Sequence, residues 1–351
     1  MITQKRILFT VLNWGLGHAT RSIVVIDFLL DKKYFVVIAS DGDALHFLQQ
    51  HYAAHSAVAF EALPAYAPVY HASGNNFSAA IFLQLPKFLN AIFQEHKQTN
   101  LLIKKWNVAA VISDNRYGCY SAAVPSYIIT HQLNIPLAKL LKVPFDFLLK
   151  KQLKKFSGIL VPDLPNHLLS GDLSKSDFEN GHFIGLLSRL KKIDLPIKYK
   201  LVFLLSGPEP QRSLLEEKIK NAIDFSSENL LVRGTLLPTK KQVKNSIDLA
   251  DTAQLNEIVN SCEIIIARSG YSTLLDMAKI KHKKIICIPT PGQTEQEYLA
   301  KKLANENRIA VVAQDDFDLE AAIAKVSAAK GFEDVIGEED LLKTTFKNIG
   351  L

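Results

Sequence analysis

Cysteine is scarce in this chain of 351 residues. Its three cysteines, Cys119, Cys262 and Cys287, lie far apart and form no Cys-x-x-Cys pair. A disulfide-stapled scaffold needs an even and denser set, and a zinc site usually needs paired cysteines. We therefore expect reduced, mostly buried thiols in a reducing compartment, and neither a metal site nor a bound cofactor.

Long apolar runs are also missing. The first run, residues 7–12 (ILFTVL), is too short for a signal peptide and predicts a β-strand. No stretch approaches the roughly 18 apolar residues that cross a bilayer. With 48% apolar and 22% charged residues, the composition is that of a globular protein and excludes disorder. A cytoplasmic protein is expected.

Net charge is distributed unevenly along the chain. Residues 1–165 hold 16 Lys and Arg against 9 Asp and Glu, a net charge of +7, whereas residues 166–351 carry −1. Such asymmetry predicts that the first half meets an anionic partner, such as a membrane surface or a phosphorylated substrate. No motif that reads nucleic acid accompanies the charge, so we expect no nucleic-acid partner.

Twelve short apolar runs alternate with helical patterns. Runs that are apolar throughout are typical of parallel strands covered on both faces. Twelve strands are too many for one open sheet, so we predict an α/β protein with two Rossmann-like doubly wound domains facing a cleft. The predicted strands are 6–12, 34–39, 58–63, 108–113, 126–130, 157–161, 200–206, 229–233, 246–249, 263–267, 284–288 and 309–313.

Domain boundaries follow from a stretch that interrupts this alternation. Residues 162–190 are rich in Pro, Asn, Asp, Ser and Gly. We predict a first domain over 1–165, a linker over 166–190 and a second domain over 191–351. The final helical pattern, 338–348, fits against either domain, including a return to the first.

A glycine loop follows the first strand. Gly15 and Gly17 allow close backbone approach to a phosphate or sugar, but Thr20 replaces the third glycine of a dinucleotide fingerprint. His18 lies at the predicted helix start, where the dipole disfavours its charged form and leaves it able to accept a proton. The pattern fits equally a histidine that only hydrogen-bonds the loop.

Polar residues end two later strands of the first half. Asp114 closes the strand at 108–113, and His131 closes the strand at 126–130. Ligands bind at the carboxyl ends of strands in open α/β sheets. Asp114 is therefore a candidate catalytic residue, although a helix cap explains it as well. His131 is a candidate substrate contact, although a packing role explains it as well.

The most specific pattern lies in the second half. A strand ends at Arg268, Ser269-Gly270 make the turn, and a helix begins at once. Free amides at that helix start suit a diphosphate, assisted by hydroxyl groups, and a carboxylate further along the helix suits a ribose. The candidate residues for binding this diphosphate and ribose are Arg268, Ser269, Gly270, Ser272, Thr273 and Asp276.

Two further junctions could contact the same ligand. Gln296 and Glu297 open the helix after the next strand and can bond sugar hydroxyls, and Ser206-Gly207 follow the first strand of this half.

A basic segment lies in the first half of the chain. Residues 135–156 hold six lysines and one acid among apolar residues, with Pro144 expected to break the helix in two. This segment fits either an anionic lipid surface or an ordinary helix with one buried face.

Taken together, these motifs resemble the GT-B-fold glycosyltransferases of the family 28 group, which includes enzymes of lipid-linked peptidoglycan precursor synthesis. The resemblance covers nearly the whole chain, and the stretches that carry it are 15–21 (GLGHATR), 130–135 (THQLNI), 183–189 (FIGLLSR), 268–278 (RSGYSTLLDMA) and 288–298 (IPTPGQTEQEY).

The resemblance implies a role for each matching residue. Ser269, Gly270 and Thr273 would hold the donor's diphosphate and Asp276 its ribose, where the family usually has Glu. Gln296 and Glu297 match the pair on the donor sugar, where the family often has Gln-Gln. The other residues of the implied substrate site are Gly15, Gly17, Arg21, His131, Ser206, Gly207, Arg268 and Ser272.

The implied mechanism is a direct displacement at the sugar's anomeric carbon. A nucleoside diphosphate, expected to be UDP, leaves without help from a metal ion, and His18 is the candidate general base, with Asp114 as an alternative. The glycine loop also resembles nucleotide-sugar hydrolases, in which water replaces the acceptor. A non-catalytic nucleotide-sugar-binding protein is the remaining alternative. The acceptor is unknown, with a lipid-linked or anionic molecule at the inner face of the membrane as the expectation.

Overall fold

The chain separates into two compact units. The computed structural model describes residues 4–66, 84–134, 139–207, 209–225, 228–235, 243–336 and 340–351. The first unit holds the described residues before Ser188 together with 340–351, and the second runs from Ser188 to Ile336. Each unit is built on its own parallel sheet, so the predicted α/β class with two doubly wound sheets is confirmed.

The first unit contains a sheet of seven parallel strands in the order β3-β2-β1-β4-β5-β6-β7. Its strands are β1 (Arg6–Val11), β2 (Phe35–Ser40), β3 (Val58–Ala62), β4 (Ala110–Asp114), β5 (Ser126–Ile129), β6 (Gly158–Val161) and β7 (Gly181–Phe183). Its helices include α1 (Leu16–Asp31), α2 (Gly42–His51), α3 (Leu85–Trp106) and α4 (Lys139–Leu153).

Both faces of this sheet are covered, as its continuous apolar runs predict. Ile7, Phe9 and Val11 of β1 join one core cluster, whereas the intervening Leu8 packs into another. Strand β1 pairs with β2 on one side and with β4 on the other. Strand order therefore reverses between β1 and β4, and the carboxyl ends of these two strands form the crevice where such sheets bind ligands.

The second unit contains a sheet of six parallel strands in the order β10-β9-β8-β11-β12-β13. Order reverses here between β8 and β11. The strands are β8 (Tyr199–Leu204), β9 (Asn229–Val232), β10 (Ser246–Ile247), β11 (Cys262–Ala267), β12 (Ile285–Cys287) and β13 (Ala310–Val311). The helices are α5 (Gln211–Ala222), α6 (Thr252–Asn260), α7 (Tyr271–Lys279), α8 (Thr294–Asn305) and α9 (Leu319–Val326).

The stretch predicted as a linker, 166–190, is largely part of the first unit. Gly171–Ser174 form a short 3-10 helix, and the three residues of β7 pair with β6. So short a strand leaves no apolar run in the sequence, which is why the pattern indicates a linker. The last helix, α10 (Leu341–Asn348), belongs to the same unit, because Phe346 packs in its core against Phe28 with ring centroids 5.2 Å apart.

Helix α4 is continuous, contrary to the expected break at Pro144. Pro144 removes only the hydrogen bond to the carbonyl of residue 140, near the start of the helix, so the following turns still form. Residues 135–138 of the basic segment lie outside the described part of the chain. Among the described residues, no helix is long and apolar enough to span a membrane.

Candidate functional site

His18 lies in the first turn of α1, directly after the crevice end of β1. The helix begins at Leu16, and Gly15 caps it with a φ of +81°. That left-handed conformation favours glycine, because a side chain there would be strained whatever space surrounds it. Gly17 accepts a hydrogen bond from the Thr20 hydroxyl at 3.1 Å. The glycine loop therefore sets where the imidazole enters the crevice.

Asp114, at the end of β4, holds the His18 ring. Nδ1 of His18 lies 2.9 Å from Oδ1 of Asp114, and the carboxyl group is fully buried. Arg21 Nε and Ser22 Oγ donate to Oδ2 at 2.8 and 2.9 Å, and Arg21 Nη2 donates to Oδ1. Burial opposes ionisation of Asp114, but Arg21 and His18 outweigh it and hold the pKa of this carboxyl well below its usual range.

These contacts bear on two sequence predictions. Asp114 was an alternative proton acceptor, but both of its oxygens have hydrogen-bond partners inside the protein and its pKa is lowered, so its position suits orienting His18 better than accepting a proton. Arg21 was a predicted substrate contact, but its guanidinium is buried against Asp114. Both side chains form the support of the histidine.

The environment of His18 keeps its ring neutral. Burial lowers the pKa of His18 below 6.5, and the nearby Arg21 guanidinium lowers it further, against the opposing effect of Asp114. Nδ1 lies 2.9 Å from the Asp114 carboxylate and 3.0 Å from Arg21 Nη2. In the tautomer that donates from Nδ1 to the carboxylate, the neutral ring presents the lone pair of Nε2. Such a histidine can accept a proton from a hydroxyl group or a water molecule.

His131 is buried beyond the end of β5, and its charge would disfavour the charged form of His18. The loop after it is anchored, because the amides of Leu133 and Asn134 donate to the carbonyl of Leu173 at 2.8 and 2.9 Å. Two predicted residues of the first unit, His18 and His131, therefore interact.

A buried ion pair that sequence reasoning missed lies next to this crevice. Arg116 Nε donates to Glu95 of α3, and both side chains are fully buried. Tyr66 Oη and the amide of Gly118 donate to the other carboxylate oxygen of Glu95 at 2.7 and 3.0 Å. Arg116 also reaches Asp41 at 2.9 Å. The pair connects α3, the loop after β4 and the start of α2.

In the second unit, the predicted residues lie at three strand-to-helix junctions, β8–α5, β11–α7 and β12–α8. Gly270 caps α7, and Ser272 and Thr273 lie in its first turn, at the helix end that attracts anions. Ser206 and Gly207 follow β8, the strand beside β11, and Gly207 is exposed with a φ of +103°. This arrangement can bind a diphosphate through backbone amides.

Several side chains predicted to touch the donor are instead bonded within the protein. The Ser269 hydroxyl donates to the carbonyl of Gln296 at 2.8 Å. The Gln296 side chain accepts from the amide of Thr290 at 2.9 Å and donates to Gln293, and Glu297 accepts from the amide of Gly292 at 2.8 Å. These bonds join the junctions at the starts of α7 and α8 and fix the loop over 289–293.

Arg268 is the clearest departure from the sequence prediction. Its side chain is buried, and its guanidinium donates to the carbonyls of Ile288, Pro289 and Gln211 and to the side chain of Gln314. The residue therefore ties α5 and the loop after β12 to the end of β11. It does not point a free charge toward a ligand.

Asp276 is half-buried in α7. Ser188 Oγ donates to its carboxyl group at 2.5 Å. Burial raises the pKa of Asp276 from 3.8 to about 6, although Ser188 and the nearby Arg189 favour the ionised form. Ser188 stands within the stretch 183–189 that carries the family resemblance, but no sequence signal gave it a role.

Comparison with known proteins adds to this geometry. Residues 230–334 match the family model described as the glycosyltransferase family 28 C-terminal domain. The match contains both strand-to-helix junctions at α7 and α8. The second unit carries a family 28 C-terminal domain.

Solved structures with the same fold extend over the whole chain. The glycotransferase of kitacinnamycin is 15% identical with a TM-score of 0.64, covering 98% of this chain and 96% of its own. The spinosyn rhamnosyltransferase SpnG complexed with thymidine diphosphate is 14% identical with a TM-score of 0.60, and MurG of Acinetobacter baumannii is 13% identical with a TM-score of 0.58. Each covers 99% of both chains.

No curated protein matches the sequence. The two-sheet architecture is the GT-B fold of these glycosyltransferases, and the family domain lies in its second half. The resemblance expected from the motifs is thereby confirmed, in the fold of the whole chain and in the glycosyltransferase domain model that matches its second unit.

Proposed function

We propose that this glycosyltransferase moves a hexosyl group from a nucleoside-diphosphate sugar to an acceptor hydroxyl by direct displacement, without a metal ion. The observation that carries the proposal is the 2.9 Å contact between His18 Nδ1 and the buried Asp114 carboxyl group at the crevice of the first sheet, where the pKa of each group is lowered. His18 Nε2 takes the proton of the acceptor hydroxyl as its oxygen attacks the anomeric carbon. The bond between that carbon and the diphosphate oxygen breaks, and the nucleoside diphosphate departs.

The donor is proposed to bind the second unit. The amides at the start of α7 and the hydroxyls of Ser272 and Thr273 stabilise the negative charge that develops on the diphosphate. Asp276 accepts hydrogen bonds from the ribose hydroxyls. The resemblance favours UDP, and SpnG complexed with thymidine diphosphate makes a thymidine donor the comparison to test.

The Asp276 carboxyl group predicts a pH-dependent donor affinity. Its pKa is raised to about 6, so donors should bind more tightly above pH 6 than below it. Below pH 6 the carboxyl group is protonated and accepts hydrogen bonds poorly. Calorimetry with UDP-glucose and TDP-glucose on either side of pH 6 measures this change, since neither diphosphate diester titrates there. In Asp276→Ala, the affinity falls about 10- to 100-fold and the pH dependence disappears.

The matched control is Asp251→Ala, which removes a carboxylate at the start of α6 that caps its own helix through the amide of Gln254. It keeps wild-type donor affinity. Equal binding of both sugar nucleotides by Asp276→Ala and the wild type contradicts the ribose assignment.

We further propose that α4 rests on an anionic membrane at its cytoplasmic face. Val143, Phe147 and Leu148 are exposed on this helix, beside Lys150 and Lys151 in its last turn. An apolar ridge flanked by lysines suits insertion between anionic lipid headgroups. A lipid-linked or anionic acceptor would reach the first unit from that surface.

Vesicle sedimentation tests the membrane contact. The protein should bind vesicles of phosphatidylglycerol more than those of phosphatidylcholine, and added salt should weaken the binding. Phe147→Ser lowers the affinity about 30-fold, because a buried phenylalanine contributes about 2 kcal/mol. Leu101→Ser, an exposed site on α3, is the control and changes little. Equal binding to both kinds of vesicle contradicts the proposal.

A further inference from the structure

Trp14 is an exposed aromatic residue in the loop that leads to His18. Its side chain is 39% exposed, although large aromatic residues usually bury most of their surface. Two buried rings support it, Tyr66 with a centroid distance of 6.4 Å and Phe88 with one of 5.9 Å. The indole therefore has a fixed support on one side and an open surface on another.

The support under Trp14 is rigid. Tyr66 Oη donates to the buried Glu95 at 2.7 Å, and Glu95 is bonded in turn to Arg116. Phe88 belongs to the same helix as Glu95 and packs 6.1 Å from Tyr66. A side chain held this way loses little conformational entropy when a ligand packs against it. An exposed ring on a preorganised base is a feature of binding sites.

Polar groups bond to Asn13, the residue before Trp14. Asn13 Nδ2 donates at 3.1 Å to Oδ2 of Asp41, at the start of α2, and Arg116 donates to Oδ1 of the same carboxylate. Asp41 is half-buried, and a carboxylate has about four acceptor positions, so it can still accept from a ligand hydroxyl. A pyranose ring matches this set, because its C–H face packs on an aromatic ring while its hydroxyls donate to carboxylates. An anionic group in place of such a hydroxyl would meet the charge of Asp41.

We propose that Trp14 is a binding platform for an uncharged sugar ring of the acceptor, which makes the acceptor a glycan or a glycan-bearing lipid. The inference rests on the proposed transferase function. The sugar packs on the indole, one of its hydroxyls donates to Asp41, and another faces His18. Trp14 and Asp41 thereby select a carbohydrate over a simple alcohol.

Tryptophan fluorescence tests the platform directly, because the chain has only two tryptophans. The other, Trp106, lies near the amino end of β1, where its carbonyl accepts from Arg6 at 2.9 Å. In Trp106→Phe, all tryptophan emission comes from Trp14. Titration with the methyl glycosides of glucose, galactose, mannose and N-acetylglucosamine should change this emission saturably for at least one sugar. Methanol is the control and changes nothing.

Saturation-transfer NMR with the same glycosides supplies the second readout. The signal of the sugar that binds falls about three- to tenfold in Trp14→Ala and is partly retained in Trp14→Phe, whereas Trp106→Phe keeps the wild-type signal. Constant emission with all four sugars, or equal NMR signals for Trp14→Ala and the wild type, overturns the proposal.

A separate measurement distinguishes failure of the proposed transferase function from failure of the Trp14 platform. If neither UDP-glucose nor TDP-glucose binds in calorimetry, the proposed transferase function fails whatever Trp14 does. If a donor binds and the glycosides do not, only the acceptor platform is lost.

Discussion

Replacing His18 with alanine lowers kcat/KM for donor turnover by about 10²- to 10⁴-fold, the usual contribution of a general base. Donor affinity stays at the wild-type value, because the donor is proposed to bind residues of the second unit. Release of the nucleoside diphosphate from the sugar nucleotide that binds most tightly measures turnover, with and without an added acceptor. The reaction is run in EDTA, where the wild-type enzyme is expected to remain active.

The pH profile of the same enzyme ties this loss to proton transfer. His18 acts as a base only when neutral, and burial together with Arg21 lowers its pKa below 6.5. The wild-type rate therefore holds as pH falls through 6.5 and drops only at lower pH. At saturating donor, where donor binding through Asp276 no longer limits the rate, His18→Ala loses that acidic limb. His46→Ala, at an exposed position on α2, keeps both the rate and the profile.

Three outcomes separate the possible functions. A donor that is consumed as fast without an acceptor as with one identifies a hydrolase, in which His18 activates water. Unchanged turnover in His18→Ala removes the histidine from the mechanism. A chain that binds the donor but releases no nucleotide under any condition is a binding protein.

The fold was predictable because its strands are buried on both faces. Each of the twelve apolar runs corresponds to an observed strand, from β1 at Arg6–Val11 to β13 at Ala310–Val311. Among the strands of the described residues, only β7 was not predicted, because its three residues, Gly181–Phe183, are half-buried and form no apolar run. The positions of the candidate residues followed from topology, because polar residues after β1 and β4 in the first sheet, and after β8 and β11 in the second, lie where the strand order of each sheet reverses.

Side-chain roles were less predictable, because their partners lie far away in sequence. Arg268 bonds to Gln211 and Gln314, and Arg21 bonds to Asp114, 93 residues away. Local sequence shows an arginine beside a glycine turn, which suggests an anion ligand. Only the folded chain shows that the charge is already neutralised or bonded inside the protein.

Glu95 was missed although its position carries a signal. The buried face of α3 includes Phe88, Ala91, Thr99 and Leu102, and Glu95 falls within that spacing. An acid at a core position of an amphipathic helix needs a buried cationic partner. The arginine was visible in the sequence at Arg116, but nothing in the chain's local pattern links it to a helix 21 residues earlier.

Replacing Glu95 with alanine is expected to lower the free energy of unfolding of the first unit by about 3–5 kcal/mol, because Arg116 then loses its buried counter-charge. Urea unfolding followed by circular dichroism measures the loss. Asp177→Ala is the control: the exposed Asp177 lies 3.5 Å from the half-exposed Lys150, and such a pair contributes about 0–1 kcal/mol.

The double variant Glu95→Leu with Arg116→Met distinguishes a buried charge from lost packing. Removing both charges recovers much of the stability lost in Glu95→Ala if the cost comes from a buried guanidinium left with only the half-buried Asp41 as counter-charge. Asp41 retains its bond from Asn13 in that variant. A loss in Glu95→Ala as small as that in Asp177→Ala, or a double variant less stable than Glu95→Ala, contradicts the ion-pair account. Because Glu95 also fixes Tyr66 beneath Trp14, the same pair links the stability of the first unit to the shape of its proposed acceptor platform.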